Sequence, residues 1–177
     1  MPIMNRSRGY TLVELIVAIG LFALIMLLAS GAYLMMIALT RQAQGVATGI
    51  DNLSFALETM TRSIRTGTAY SCGASLGAGD CSGGGNSFTF KNKDNATITY
   101  SLSSPSIVQT TSGIARTLTD PSVSISALTF YVTGTASSDS QQPRVMRVIS
   151  GTVSSGSSKP SQSFIVETGA TMRGTDI

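Results

Sequence analysis

Apolar and polar positions divide this chain into stretches of different periodicity. From Leu15 to Leu39 an apolar run continues without a single charged residue. As a helix rising 1.5 Å per residue it would extend about 37 Å, enough to cross a hydrocarbon core of about 30 Å. Beyond Arg41 the apolar positions thin to Val46, Ile50, Leu53, Leu57, Met60 and Ile64, spaced alternately by four and three. That spacing predicts an amphipathic helix with one packing stripe, flanked by Gln42, Gln44, Asp51, Asn52, Glu58, Thr61, Arg62 and Arg65. Gly67 fits a helix C-cap, so one continuous helix is expected from Tyr10 to Thr66. Gly31, Gly45 and Gly49 each weaken its interior by about 1 kcal/mol relative to Ala, which predicts flexure there. A coiled-coil dimer would leave the same stripe, but the strands that follow need a packing partner.

After the helix the period falls to two. Residues 71–85 are rich in Gly and Ser and read as a loop. Strands are expected at Ser87–Lys91, Ala96–Leu102, Ser106–Thr110, Ile114–Leu118, Ser124–Thr133, Arg144–Val153 and Gln162–Thr168. Alternation is clearest in Phe88/Phe90, Ile98/Tyr100 and Val145/Arg147/Ile149. Ala136–Gln142 and Ser154–Pro160 are polar linkers. The expected class is α+β, with a long N-terminal helix, transmembrane in its first half and amphipathic in its second, packed on an antiparallel β-sheet meander.

Composition sharpens this picture. Charged residues make up only 12% of the 177, about half the usual roughly 25%. Leaving out Arg6, Arg8 and Glu14, ten Lys/Arg stand against eight Asp/Glu. That near-neutral balance makes nucleic acid a weak alternative as a partner rather than an expected one. The chain has no His, which removes the commonest general base and neutral metal ligand. No nucleophile-elbow pattern and no Gly-Lys-Ser/Thr phosphate loop is present, so no enzyme activity, cofactor or metal is expected. Asp80, Asp94, Asp120 and Asp139 are too scattered for a calcium loop and read as turn-capping acids. Arg144 and Arg147, with Lys91 and Lys93, read as solvated charge, the two arginines on opposite faces of one strand. Cys72 and Cys81 fit a disulfide in an oxidising compartment, two free thiols being the alternative.

The first nine residues are short and basic, and Arg6 and Arg8 would hold that end in the cytoplasm. A conventional signal peptide would be cleaved near Ala29-Ser30-Gly31-Ala32, yet the apolar run continues through Ile37. A plain signal anchor leaves Glu14 unexplained.

Gly9, then Tyr10-Thr11-Leu12-Val13-Glu14 and an uninterrupted apolar helix, resembles the cleavage and methylation signal of type IV prepilins and pseudopilins. The family pattern has an aromatic residue, usually Phe, where this chain has Tyr10. The Leu57–Arg65 segment, the chain length and the short cysteine loop look more like minor than major subunits. The resemblance implies a leader at 1–9, a membrane and filament-core helix at 10–40, and an extracytoplasmic pilin-like domain at 41–177. Within that domain the amphipathic helix would occupy 41–66 and the β-sheet 87–170. It implies cleavage between Gly9 and Tyr10 by a prepilin peptidase and methylation of the new Tyr10 amine. It also implies assembly with other pilin or pseudopilin subunits, in which Glu14 sets the register. The chain would pass once through the inner membrane, N-terminus inside, and move into a periplasmic or extracellular filament. The implied function is structural, as a subunit of a type IV pilus or type II secretion pseudopilus. The alternative is a filament-tip binding module, an adhesin or DNA-uptake receptor, on the same scaffold.

Overall fold

The computed structural model describes residues 9–77, 79–136, 141–154 and 161–173. The basic leader with Arg6 and Arg8, Asp139 and most of both expected linkers lie outside the described residues. Among the described residues the chain forms one long helix, α1 (Leu12–Arg65), and nine strands. The strands are β1 (Thr68–Cys72), β2 (Cys81–Gly85), β3 (Ser87–Lys91), β4 (Thr97–Ser103), β5 (Ser106–Thr111), β6 (Ile114–Thr117), β7 (Val123–Thr133), β8 (Arg144–Val153) and β9 (Gln162–Thr171). The chain divides into two compact units, Met1–Arg41 and Gln42–Ile177.

In the first unit α1 is apolar on every side, and Leu12, Val13, Leu15, Ile16, Phe22 and Leu39 are all exposed in the isolated chain. Its hydroxyls bond back into the helix: Ser30 Oγ donates to the Met26 carbonyl at 2.8 Å and Thr40 Oγ1 to that of Met36 at 2.9 Å. Those bonds give both groups partners without water, as a hydrocarbon surrounding requires. By length and composition this helix can cross a membrane.

In the second unit the expected single meander is two antiparallel sheets. One has the order β1-β3-β4-β5-β6 and the other β2-β7-β8-β9. Both sheets and the helix stripe share one core, where Leu53, Leu57, Met60 and Ile64 meet Phe88, Phe90, Tyr100, Ile125, Phe130 and Val145 among others. Phe88 stacks between Phe90 and Phe130, at centroid distances of 5.4 and 5.7 Å, so aromatic contact spans the two sheets. In β7 the buried positions switch parity, from Val123 and Ile125 to Leu128, Phe130 and Val132. An irregularity between Ile125 and Ala127 absorbs the extra residue and keeps both halves of the strand aimed at the core.

Several expectations require correction. The buried stripe of α1 is Gly49, Leu53, Ala56, Leu57, Met60 and Ile64, whereas Ile50 is exposed and Val46 only half-buried. Gly49 is a packing position: a Cβ there would lie 2.3 Å from Val153 Cγ1, so the bare backbone admits β8 against the helix. Gly67 does follow the helix end, its N–H donating to the Ile64 carbonyl at 2.9 Å, but without a left-handed φ, and what needs glycine there is close approach. A Cβ at Gly67 would fall 2.3 Å from Phe90 Cδ2. Residues 71–85 are not all loop, since β1 runs to Cys72 and β2 occupies Cys81–Gly85. The Gly-rich β2 has no strand propensity of its own and exists because β7 pairs with it.

Candidate functional site

At the N-terminus the helix begins with an identifiable cap. Gly9, Tyr10 and Thr11 precede the helix, and Leu15 N–H donates to the Thr11 carbonyl at 3.2 Å. Thr11 Oγ1 accepts the Glu14 N–H at 3.3 Å. Thr11-Leu12-Val13-Glu14 is thus a Thr-x-x-Glu capping sequence, with Glu14 also favourably placed against the positive end of the helix dipole. The sequence places Thr11 in the methylation signal without a capping role, although the Thr-x-x-Glu spacing before an apolar run is the signal of that role. The Gly9–Tyr10 peptide bond lies outside the helix, Tyr10 is 84% exposed, and no atom crowds Gly9. Chain geometry therefore leaves that bond open to a peptidase. Glu14 is the one charged residue between Gly9 and Arg41.

The second feature is the bond between Cys72 and Cys81, a disulfide with Cα atoms 5.8 Å apart. Cys72 ends β1 on the border of one sheet, and Cys81 opens β2 on the border of the other. The crosslink therefore ties the two sheets together, and the sequence spacing alone held no sign of that.

The acids do not converge. Asp80 accepts from the Gly134 and Thr135 amides at 3.0 and 2.9 Å and from Thr135 Oγ1 at 2.7 Å. Partial burial would raise its pKa, but these bonds outweigh that and hold it below the usual value. Asp120 is likewise lowered by the hydroxyl and amide of Ser122, which it accepts at 2.7 and 2.9 Å. Among the described residues no three His, Cys, Asp or Glu side chains gather where a metal ion could sit. One cleft of about 530 Å³ is lined by Ser87, Thr99, Ser101 and Thr110 with Leu102 and Leu128, none of them titratable.

Arg144 and Arg147 do take opposite faces, but only Arg144 is solvated. Arg147 is 1% exposed at the junction of β8 and α1. Its Nη2 donates to the Leu57 carbonyl at 2.9 Å and to Thr61 Oγ1. Burial pushes its pKa down to about 10, against the opposing pull of Tyr100 and Glu58. A nucleic-acid role for this residue is removed, since its charge faces the core.

No curated protein and no solved structure matches the chain. Residues 4–30 match the family model described as the prokaryotic N-terminal methylation motif, so the chain carries the prepilin-type signal of type IV pilins and pseudopilins.

Proposed function

We propose that this chain is a structural subunit, of the minor kind, of a type IV pilus or type II secretion pseudopilus. The observation that carries the reading is the methylation motif running directly into an exposed, wholly apolar helix that holds a single acid, Glu14. A prepilin peptidase cleaves between Gly9 and Tyr10 on the cytoplasmic side and methylates the Tyr10 amine. The helix holds the chain in the inner membrane, and the β-rich unit lies on the far side, where an oxidising compartment suits the Cys72–Cys81 bond. The role is mechanical rather than enzymatic: the subunit contributes helix surface to a filament core.

Charge explains the choice of Glu14. A carboxylate in the bilayer centre costs about 2.5–3.5 kcal/mol, less near the interface. Cleavage frees a cationic amine at Tyr10, whose reference pKa is about 8. At about 4 Å and an effective dielectric near 20, attraction between that amine and a neighbour's Glu14 is about 4 kcal/mol. The two magnitudes are comparable, so pairing offsets burial only in the register that brings the charges together.

Intact mass and N-terminal sequencing of the membrane-extracted protein test the reading. A chain beginning at N-methyl-Tyr10 supports it, and a mature N-terminus near Ala32 overturns it. Counting copies per filament then separates a minor from a major subunit.

A further inference from the structure

We propose that Phe55 of one copy, flanked by Asp51 and Glu58, docks on Ile114 and Arg116 at the free edge of the five-stranded sheet of a second copy. This contact deepens the filament reading and rests on it.

The donor patch lies on the outward side of α1. Phe55 is 76% exposed, and two residues from the buried Leu53 it is turned by about 200°, away from the core. Asp51 stands four residues before it and Glu58 three after, so all three share one face. Glu58 pairs with Arg62 at 2.8 Å, and Asp51 has no ion-pair partner among the described residues. Arg62 shares this face, so the patch is one large apolar group with the unpaired Asp51 on one side and the Glu58–Arg62 pair on the other.

The acceptor patch is β6, the border strand of its sheet, whose four residues are all exposed. Ile114 lies opposite Thr111 and Arg116 opposite Gln109, and these four line a shallow cavity of about 300 Å³. Thr111 and Gln109 in turn lie opposite the buried Ile98 and Tyr100. Residues opposite one another share a sheet face, so Ile114 and Arg116 continue the core-facing surface beyond the part that is buried. Ile114 is 76% exposed, and Arg116 has no ion-pair partner among the described residues.

Charge selects this acceptor over the others. Ile165 is as exposed, but it stands beside Glu167 on the same face of β9, which would set acid against acid. Leu76 and Tyr131 are only 36% exposed. Phe55 points away from the core that its own sheets enclose, and so the contact is drawn between two copies. Because the two patches differ, the contact is heterologous, joining one copy's helix face to the next copy's sheet edge rather than pairing like with like. One aromatic anchor falls far short of the roughly 1,200 Å² of a stable interface, so the contact forms only where another attachment concentrates the copies.

The test uses full-length chains in membranes, with Thr59→Cys and Thr111→Cys carried on separate co-expressed copies, so that Phe55 and Ile114 both stay in place. The native cysteines are already paired and do not compete. Mild oxidation should give a mixed crosslink about tenfold above either variant alone. Arg116→Glu should lower that yield about fivefold, and Asp51→Lys with Glu58→Lys should restore it. Dominant Thr59→Cys self-crosslinking, or a yield indifferent to Arg116→Glu in protein of unchanged melting temperature, overturns the contact. Intact mass of the same sample separates the two levels. Chains processed to N-methyl-Tyr10 without the mixed crosslink overturn the docking alone, whereas unprocessed chains overturn the filament reading.

Discussion

The guanidinium of Arg147 in β8 donates from Nη2 to the Leu57 carbonyl in α1 at 2.9 Å, across 90 residues of chain. Thr61 Oγ1 accepts from the same nitrogen and itself donates to the Leu57 carbonyl at 2.7 Å, which closes a small polar triangle inside the core. Arg147 Nε and Nη1 have no hydrogen-bond partner among the described residues, so the group carries an uncompensated desolvation cost. Arg147→Ala should destabilise the β-rich unit by roughly 2–4 kcal/mol through lost packing and the cavity left behind. Arg147→Met keeps most of the volume and removes the buried charge, so it should cost much less. Thermal melts of the two variants check the order; a Met variant as unstable as the Ala variant would contradict it.

Alkaline pH should unfold this unit through its tyrosines. Burial raises the pKa of Tyr70, whose hydroxyl donates to the Ile64 carbonyl at 2.6 Å, and that of Tyr100. An unfolded tyrosine ionises near pH 10, so the unfolded chain loses these protons first. Their stabilisation is complete below about pH 10 and is lost as pH rises toward the folded values. Arg147 has the opposite sign: lowered to about 10, it sheds its proton first in the folded chain, so stability gains above that pH. With two tyrosines against one arginine, denaturation midpoints should hold steady between about pH 7 and 9 and fall beyond about pH 10. Tyr70→Phe should make the fall shallower.

Reduction should loosen the two sheets from each other. The Cys72–Cys81 bond closes a sequence separation of 9, for which chain entropy assigns roughly 2.5–3 kcal/mol. Replacing both cysteines by Ser should lower stability by about that amount, and wild-type protein in reductant should match the double variant. Melting curves with and without reductant read this directly.

Gly49→Ala should destabilise the protein even though Ala is the better helix former by about 1 kcal/mol. The new methyl would fall 2.3 Å from Val153 Cγ1, and Val153 is itself fully buried. Overpacking of this kind costs about 1–3 kcal/mol. Adding Val153→Ala should recover part of the loss relative to Gly49→Ala alone. A stabilising Gly49→Ala in a melt would show that the helix and β8 separate easily.

Two substitutions at Glu14 separate its local role from its assembly role. The Glu14 amide bonds to Thr11 Oγ1 whatever side chain follows, and Gln serves a capping box about as well as Glu. Glu14→Gln should therefore leave the helix start, membrane insertion and cleavage intact while lowering filament incorporation as far as Glu14→Val does. Incorporation at wild-type level with Gln but not with Val would assign Glu14 to the cap instead of to register.

Much of this protein was written in short-range pattern. The uncharged run from Leu15 to Leu39, the lone Glu14 behind Gly9 and the 4–3 spacing of Leu53, Leu57, Met60 and Ile64 each fix a local outcome by composition or periodicity. The seven expected strands appear within a few residues of their expected bounds, because alternation is a property of neighbours. Tertiary structure decided what depends on distant partners. Strand β2, Cys81-Ser-Gly-Gly-Gly, has only the disulfide-bonded Cys81 to bury and exists through β7. Gly49 and Gly67 look like helix breakers in sequence, and only the approach of Val153 and Phe90 makes them packing positions. Arg147 alternates with Val145 and Ile149 on one strand face, so pattern placed it among core residues, yet its charge argued for solvent. The acceptors that make its burial tolerable, the Leu57 carbonyl and Thr61 hydroxyl, come from the helix. Periodicity encodes which face a side chain takes, but whether a polar group can stay there depends on hydrogen-bond partners that only the folded chain brings together.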